Sequence, residues 1–141
     1  MIVDANLLLY SRHSGAREHS RARDWLTEVL NGPQRVGLPW ESLSAFARIA
    51  SLHRFALEPL APAQVAAQIS EWLAAPAAWV PVPTERHAEV LCRLIEEHDI
   101  RGNLVPDAHL AALAICHGVP VCSADTDFAR FTELRWVNPL G

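Results

Sequence analysis

The chain has 141 residues, half of them hydrophobic, which is enough for one compact domain with its own core and too few for a second. Its net charge is −4 and its pI about 5.9, so composition alone does not indicate a nucleic-acid-binding protein. The sequence opens on no secretion signal and contains no apolar stretch long enough to cross a bilayer, which argues against secreted and membrane-spanning classes and predicts a cytoplasmic protein.

The predicted elements alternate between strands and helices along the chain. Residues 1–3 are predicted to form a buried strand, and apolar residues at helical spacing predict a helix over 16–30. The remaining predicted elements are strands at 36–39, 79–82, 120–123 and 135–139, helices at 41–53, 63–74, 85–98 and 106–117, and a helical turn at 125–131. Pro81 restricts the third strand to an edge of the sheet.

This alternation predicts one α/β domain over residues 1–141. Strands that alternate with helices form a mainly parallel sheet, because each helix returns the chain to the same end of the sheet. We therefore expect a three-layer α/β/α fold, with four to five strands in the sheet and helices on both faces.

The basic residues of the chain are all arginine. Four of them lie between residues 11 and 23, among two histidines. Arg12, Arg17 and Arg21 are candidates for phosphate contacts, because a guanidinium group can bind two phosphate oxygens at once. The alternative is a solvated helix face on which Glu18 and Asp24 pair with the arginines.

No nucleophilic side chain is placed in a recognisable catalytic pattern. The three cysteines form no CxxC pair, and their apolar neighbours predict buried, unreactive thiols. The seven histidines are predicted to be surface or capping residues, because none stands in a triad-like context.

Four acidic residues fall where strands end or helices begin. Asp4 ends the first strand, Glu41 follows the second, Asp107 begins a helix, and Asp125 follows the strand at 120–123. Helix dipoles and caps explain each acid alone. Together they should meet beyond the carboxyl ends of the strands, where α/β sheets bind ligands. Their mutual repulsion predicts a hard cation such as Mg²⁺ or Mn²⁺ between them.

The motifs in this order resemble the PIN-domain ribonucleases, and among them the VapC toxins of bacterial toxin–antitoxin pairs. They are DAN at residues 4–6, a lone Glu at 41, NLVPDAHLAALA at 103–114 and SADTDFARF at 123–131. The resemblance extends over essentially the whole chain. One departure is Pro106, where members of this family often have Thr before the third acid, and we expect Pro to be accepted in the first turn of the helix.

The resemblance implies a site for one or two Mg²⁺ or Mn²⁺ ions. The acids carried over to the metal pocket are Asp4, Glu41, Asp107 and Asp125, with Asp127 as an additional ligand. Asn6 and Ser123 match polar positions that line the pocket, and each is explained equally well by a cap or a strand-end hydrogen bond. Asn103 is better explained as a turn residue than as a residue that orients Asp107.

The activity implied is metal-dependent hydrolysis of phosphodiester bonds in structured RNA, in a tRNA or rRNA loop, which leaves a 5′-phosphate and a 3′-hydroxyl and inhibits translation and growth. The Arg-rich segment would position the RNA. The resemblance also implies a cognate VapB-like antitoxin and a homodimer.

Two other interpretations use the same residues. A strand-ending Asp is typical of phosphoaspartate enzymes, but the DxDxT motif of haloacid-dehalogenase-like phosphatases is broken here by Asn6 and Leu8, and the lysine of receiver domains is missing. The other alternative is a catalytically inactive PIN scaffold that serves as an RNA- or protein-binding module.

Overall fold

The computed structural model describes residues 1–52 and 58–141, and its centre is a five-stranded sheet. The strand order is β3-β2-β1-β4-β5, and every pair of neighbouring strands is parallel. The strands are short: β1 (Ile2–Val3), β2 (Val36–Gly37), β3 (Ala78–Trp79), β4 (Val121–Cys122) and β5 (Trp136–Val137). The edge position of β3 confirms the restriction expected from Pro81.

Six α-helices and two 3-10 turns connect these strands in the part of the chain that the structure describes. The helices are α1 (Ala5–Arg12), α2 (His19–Leu30), α3 (Trp40–Ala50), α4 (Pro62–Ala74), α5 (His87–Glu97) and α6 (Val105–His117). The 3-10 turns cover Gly102–Leu104 and Thr126–Arg130. Pro106 lies in the first turn of α6, as expected. The helix predicted over 41–53 corresponds to α3, and its predicted end at His53 lies outside the described residues.

The sheet separates two hydrophobic cores. Successive residues of a strand point to opposite faces, and Ile2 accordingly packs with α5 and α6, whereas Val3 packs with α1 to α4. Both residues are fully buried. The two cores confirm the predicted three-layer fold with helices on both faces.

Helix α1 was not predicted from the sequence. Its residues Leu7, Leu8 and Leu9 are consecutive and all buried, so the segment has no polar face and lacks the periodicity by which a surface helix is detected. The helix begins after Asp4, whose carboxylate accepts a hydrogen bond from the backbone N–H of Ala5 at 2.7 Å. Asp4 therefore lies at the junction of β1 and α1.

The burial of the three cysteines agrees with the prediction only in part. Cys122 is buried, which raises the pKa of its thiol to about 11, and Cys116 is half-buried. Cys92 is exposed, so the prediction of a buried thiol is wrong there. Helix α5 packs through Val90 and Leu94, and Cys92 lies between them in sequence, on the opposite side of the helix.

Among the described residues, no helix combines the length and the apolar character that a membrane crossing would need.

Candidate active site

The carboxyl ends of β1 and β4 are joined by a network of polar side chains around Asp4. One carboxylate oxygen of Asp4 caps α1, and the other accepts hydrogen bonds from the Ser123 hydroxyl at 2.7 Å and from the Asn6 amide at 3.3 Å. Burial raises the pKa of Asp4, the Ser123 and Ala5 hydrogen bonds oppose this, and the charge of Asp125 adds to it. Asp4 is therefore held in one orientation by three donors.

Ser123 follows β4 and is fully buried. Besides donating to Asp4, its hydroxyl oxygen accepts hydrogen bonds from the Asn6 side-chain amide and from the backbone N–H of Asp125, both at 3.0 Å. A hydroxyl offers one donor and two acceptor positions, so all three are used. Asn6 completes the network by accepting from the backbone N–H of Ala124 at 3.3 Å.

Asp125 and Asp127 stand at the start of the 3-10 turn that follows β4. Asp125 caps this turn, because its carboxylate accepts the backbone N–H of Asp127 at 2.8 Å. The Asp127 carboxylate lies 3.4 Å from the Arg130 guanidinium. One carboxylate oxygen of each of these acids lies close to Asp107 of α6.

Asp107 brings a third carboxylate to this place from the first turn of α6. One oxygen from each of Asp107, Asp125 and Asp127 lies within 4.8 Å of the other two. Burial, and then the charges of Asp125, Asp4 and Asp127, raise the pKa of Asp107 to about 6, while Arg130 opposes the shift. The four acids therefore share one negative field, which we call the acidic pocket: Asp4, Asp107, Asp125 and Asp127.

The donors of the acidic pocket suit a hard divalent cation. Carboxylate oxygens are the ligands that Mg²⁺ and Mn²⁺ prefer, and such ions retain water molecules beside one or two protein carboxylates. Burial contributes most to the raised pKa of Asp107, and the neighbouring carboxylates raise it further, so a positive charge in the pocket would favour the ionised form. Asp107, Asp125 and Asp127 are the residues whose spacing could hold the ion.

Glu41 stands apart from this group in its described contacts. It lies in the first turn of α3, beyond the end of β2, and its side chain is about 40% exposed. Its carboxylate is 3.5 Å from Nε2 of His109, a residue of α6 two positions after Asp107. The expectation that Glu41 shares a metal with the other acids stays a prediction, whereas its contact with His109 is a feature of the structure.

A second histidine lies behind His109. Nε2 of His87 is 2.9 Å from Nδ1 of His109, and the rings meet edge to face. His87 is buried, its Nδ1 has no partner in the described part of the chain, and burial followed by the charge of His109 lowers its pKa. The prediction of surface or capping histidines is wrong for His87. No pattern in the sequence could have linked residues 41, 87 and 109.

The Arg-rich segment begins at the far end of α1. Arg12 is half-buried at the C-terminal end of the eight-residue helix that Asp4 caps, which separates the two residues by about 12 Å. Its guanidinium donates to the buried Gln68 side chain, in a cleft of about 500 Å³ bounded by α1, α2 and α4. Arg17 and Arg21 are exposed. Their predicted RNA contacts remain predictions.

The comparisons with known proteins agree in sequence and in fold. Residues 1–134 match the PIN domain family. The chain is similar to ribonuclease VapC37 of Mycobacterium tuberculosis, with 43% identity over 98% of this chain and 96% of the relative, and to ribonuclease VapC33 of the same species, with 37% identity over 99% and 98%.

Solved structures with a similar fold come from toxin–antitoxin complexes. VapBC-1 from nontypeable Haemophilus influenzae gives a TM-score of 0.69 at 13% identity, over 99% of this chain and 98% of that one. VapBC2 from Rickettsia felis, bound to a DNA fragment from its promoter, gives 0.67 at 14% identity, over 97% and 96%. At these identities the likeness concerns the fold.

Proposed function

Because the chain belongs to the PIN-domain family, among its VapC ribonucleases, we propose that the acidic pocket hydrolyses phosphodiester bonds in structured RNA with one or two Mg²⁺ or Mn²⁺ ions. The observation that carries the proposal is the convergence of Asp107, Asp125 and Asp127 within 4.8 Å, beside the oriented Asp4. The substrate would be a loop of tRNA or rRNA, and its cleavage would inhibit translation and growth.

The residues of the pocket have different proposed roles, which follow from their positions. Asp107, Asp125 and Asp127 would hold the cation, which when bound supplies Lewis-acid chemistry for activating water and stabilising the charge that develops on the phosphate. Ser123, Asn6 and the N-terminus of α1 fix the direction in which Asp4 presents its carboxylate. Such fixed orientation lowers the reorganisation needed in the transition state.

Glu41 would receive its orientation from the two histidines. If Nε2–H of His109 points at the carboxylate, its Nδ1 is an acceptor, and the proton between the rings then belongs to Nε2 of His87. The lowered pKa of His87 is consistent with this neutral ring. This arrangement would orient the partly exposed Glu41 carboxylate at the carboxyl edge of the sheet, where the proposed substrate would lie.

The proposal includes the partners of the protein. A VapB-like antitoxin would restrain the nuclease, as the VapBC names of the similar structures suggest for those proteins. We also propose that the protein acts in the cytoplasm as a homodimer. Gel filtration with light scattering tests the dimer directly, and a monomer at micromolar concentration would contradict it.

The first test is cleavage of total bacterial RNA by the purified, antitoxin-free protein. We expect discrete cuts with Mg²⁺ or Mn²⁺, mapped by sequencing the new 5′ ends, and loss of these cuts with EDTA and in Asp107→Asn. Asp24→Asn, which removes an exposed acid of α2, is the matched control and should cut like the parent protein.

Two results would contradict the proposal. Cuts that persist in EDTA and in Asp107→Asn would mean that another site, or a contaminating nuclease, acts on the RNA. A folded, dimeric protein that makes no cuts in any RNA would favour an inactive binding scaffold.

A further inference from the structure

Exposed apolar side chains lie on elements that meet at the acidic pocket. Five large apolar residues are exposed in the described part of the chain. Three of them lie near the pocket along the chain or the sheet: Trp40 follows β2, Val137 ends β5, and Val105 begins α6 two positions before Asp107. The other two lie elsewhere: the Val82 carbonyl contacts Nε2 of His117, at the end of α6 opposite Asp107, and Leu52 follows the C-terminal end of α3.

Trp40 differs from the other four tryptophans of the chain. Its side chain is 52% exposed, whereas Trp72 is buried and the other three are half-buried. Two of those three have partners: the Arg35 guanidinium lies 4.1 Å above the ring of Trp79, and the Trp136 indole N–H donates to the Ser123 carbonyl. Trp40 therefore presents an accessible indole beside Glu41.

The backbone beneath Trp40 is firmly held. Leu38 is fully buried and donates its N–H to the Trp79 carbonyl at 2.8 Å. Ser42, in the same helical turn as Trp40, is buried and donates its hydroxyl to the Val3 carbonyl at 2.7 Å. The backbone that carries the indole is consequently held at the junction between β2 and α3, so binding a ligand orders the side chain alone.

The charge of the protein favours a source of RNA affinity in addition to phosphate attraction by the Arg-rich segment. The net charge is −4, the pocket itself is acidic, and Arg130 is already paired with Asp127. Arg12 lies about 12 Å from Asp4 along α1. Stacking of a base on an aromatic side chain contributes about 1–3 kcal/mol without any positive charge.

The form of the apolar surface favours nucleobases over a protein segment. Trp40, Val105 and Val137 lie on three different elements: Val105 is two positions before Asp107, and the Val137 carbonyl accepts the backbone N–H of Ser123. An amphipathic helix needs a continuous apolar groove. Separate bases on either side of one phosphate need only separate apolar contacts, with the phosphate itself over the acids.

We propose that Trp40 is a stacking platform for an unpaired base next to the scissile phosphate, with Val105 and Val137 as flanking contacts. This inference rests on the proposed function and makes the substrate a splayed, single-stranded loop, whose bases are free to stack on side chains. Trp40 then acts in substrate binding, and its loss changes RNA affinity more than the chemical step.

The test measures RNA binding in the nuclease-inactive Asp107→Asn protein, with and without Trp40→Ala. The probe is a fluorescent, short, single-stranded RNA of random sequence, followed by anisotropy. We expect Trp40→Ala to weaken binding by about 5- to 150-fold, the equivalent of one lost stack, with an unchanged dependence on salt. Trp40→Phe should recover most of the affinity, and Leu52→Ala should bind like its parent.

Cleavage by the active protein separates the two proposals. In Trp40→Ala we expect KM for RNA to rise while kcat changes little, with an unaltered melting temperature. Unchanged RNA affinity and KM in Trp40→Ala, with cleavage still lost in Asp107→Asn, would overturn the stacking role alone. Weaker binding of the antitoxin with RNA binding intact would identify Trp40 as a protein contact and also overturn it. No RNA cleavage or binding by any variant would overturn the proposed function as well.

Discussion

The hydroxyl of Ser123 connects two acids of the pocket that are far apart in sequence. Ser123→Ala removes the hydrogen bond to Asp4 and leaves the backbone N–H of Asp125 without its acceptor. Because that hydrogen bond lowers the pKa of Asp4 against the effect of burial, its loss should raise this pKa further. We expect the acidic limb of the kcat/KM profile to move to higher pH, and unfolding to cost about 1–3 kcal/mol less.

Ser42→Ala is the matched control for this prediction. Ser42 is also buried, and its hydroxyl donates to the Val3 carbonyl at 2.7 Å, on the same strand but outside the acidic pocket. A similar loss of stability is expected from it, without a shift of the pH profile. Equal shifts in both variants would mean that Ser123 has no specific influence on Asp4.

Asp107 should destabilise the metal-free protein at neutral pH. Its pKa is raised to about 6 in the folded state, so folding favours the protonated carboxyl. The stabilisation that this carboxyl provides is complete below its ordinary pKa and is lost as the pH rises through about 6. With part of the charge screened by solvent, we expect Asp107→Asn to stabilise the EDTA-treated protein by about 1–2 kcal/mol at pH 7.5.

Urea unfolding at two pH values measures this effect. The difference between Asp107→Asn and the parent protein should be large at pH 7.5 and small near pH 4, where both carry a neutral group. Asp24→Asn should show no such gain. A difference that is independent of pH would exclude the ionisation of Asp107 as its cause.

The sequence predicts the positions of some site residues relative to one another, but not those of others. The grouping of Asp4, Asp107 and Asp125 follows from their places at strand ends and helix starts, and parallel topology brings these places together. The contact of Glu41 with His109 depends on how α3 and α6 lie across the sheet edge. That geometry is set by side-chain packing in both cores, for which one sequence has no local signal.

At the scale of elements, α6 ends on a glycine in the left-handed conformation. Gly118 adopts φ 66° and ψ 32°, and its N–H and that of Val119 donate to carbonyls of the last helical turn. An Ala Cβ would meet no neighbouring atom here, so the cost of Gly118→Ala is backbone strain of about 1 kcal/mol. Urea unfolding should detect this loss.

Gly118→Asn is a second test of the backbone-strain explanation. Asn tolerates the left-handed conformation better than Ala, so its loss of stability should be smaller. Equal losses for Ala and Asn would indicate that something other than backbone conformation limits this position. RNA cleavage should remain in both variants, since Asp107 lies at the other end of the helix.

The elements found from the sequence are those with a polar and an apolar face. Helix α2 is one example, with Leu26 and Leu30 buried and Glu28 exposed. Helix α1 lacks this contrast because it is enclosed by α2 and α3. Predicted strands of four residues shorten to two in the structure, because strand pairing depends on neighbours that a local pattern does not contain.

For the whole molecule, cation binding should appear as added stability. Mg²⁺ that binds the folded acidic pocket and not the unfolded chain raises the free energy of unfolding, by about 2.7 kcal/mol at one hundred times its Kd. We expect the melting temperature of the parent protein to rise with Mg²⁺ concentration. That of Asp107→Asn should rise much less, and NaCl of equal ionic strength should reproduce neither result. Equal increases in both proteins would place the cation elsewhere.

The fold class could be predicted because the chain alternates strands and helices over its whole length. The order of the strands could not, apart from the edge position that Pro81 requires of β3. The order depends on which core each connecting helix joins, and α1 to α4 share one core while α5 and α6 share the other. Which of the two faces of the sheet a helix covers depends on the packing of the whole molecule, so no local sequence pattern predicts it.

The hydrogen bond between Ser123 and Asp4 also determines when the site can be completed during synthesis of the chain. The two residues are 119 positions apart, and a ribosome makes about 5–20 residues each second. Asp4 is therefore made about 6–24 seconds before the serine that orients it. A nascent chain carries an incomplete site during nearly all of its synthesis, so the proposed nuclease activity cannot begin before the chain has been almost fully translated.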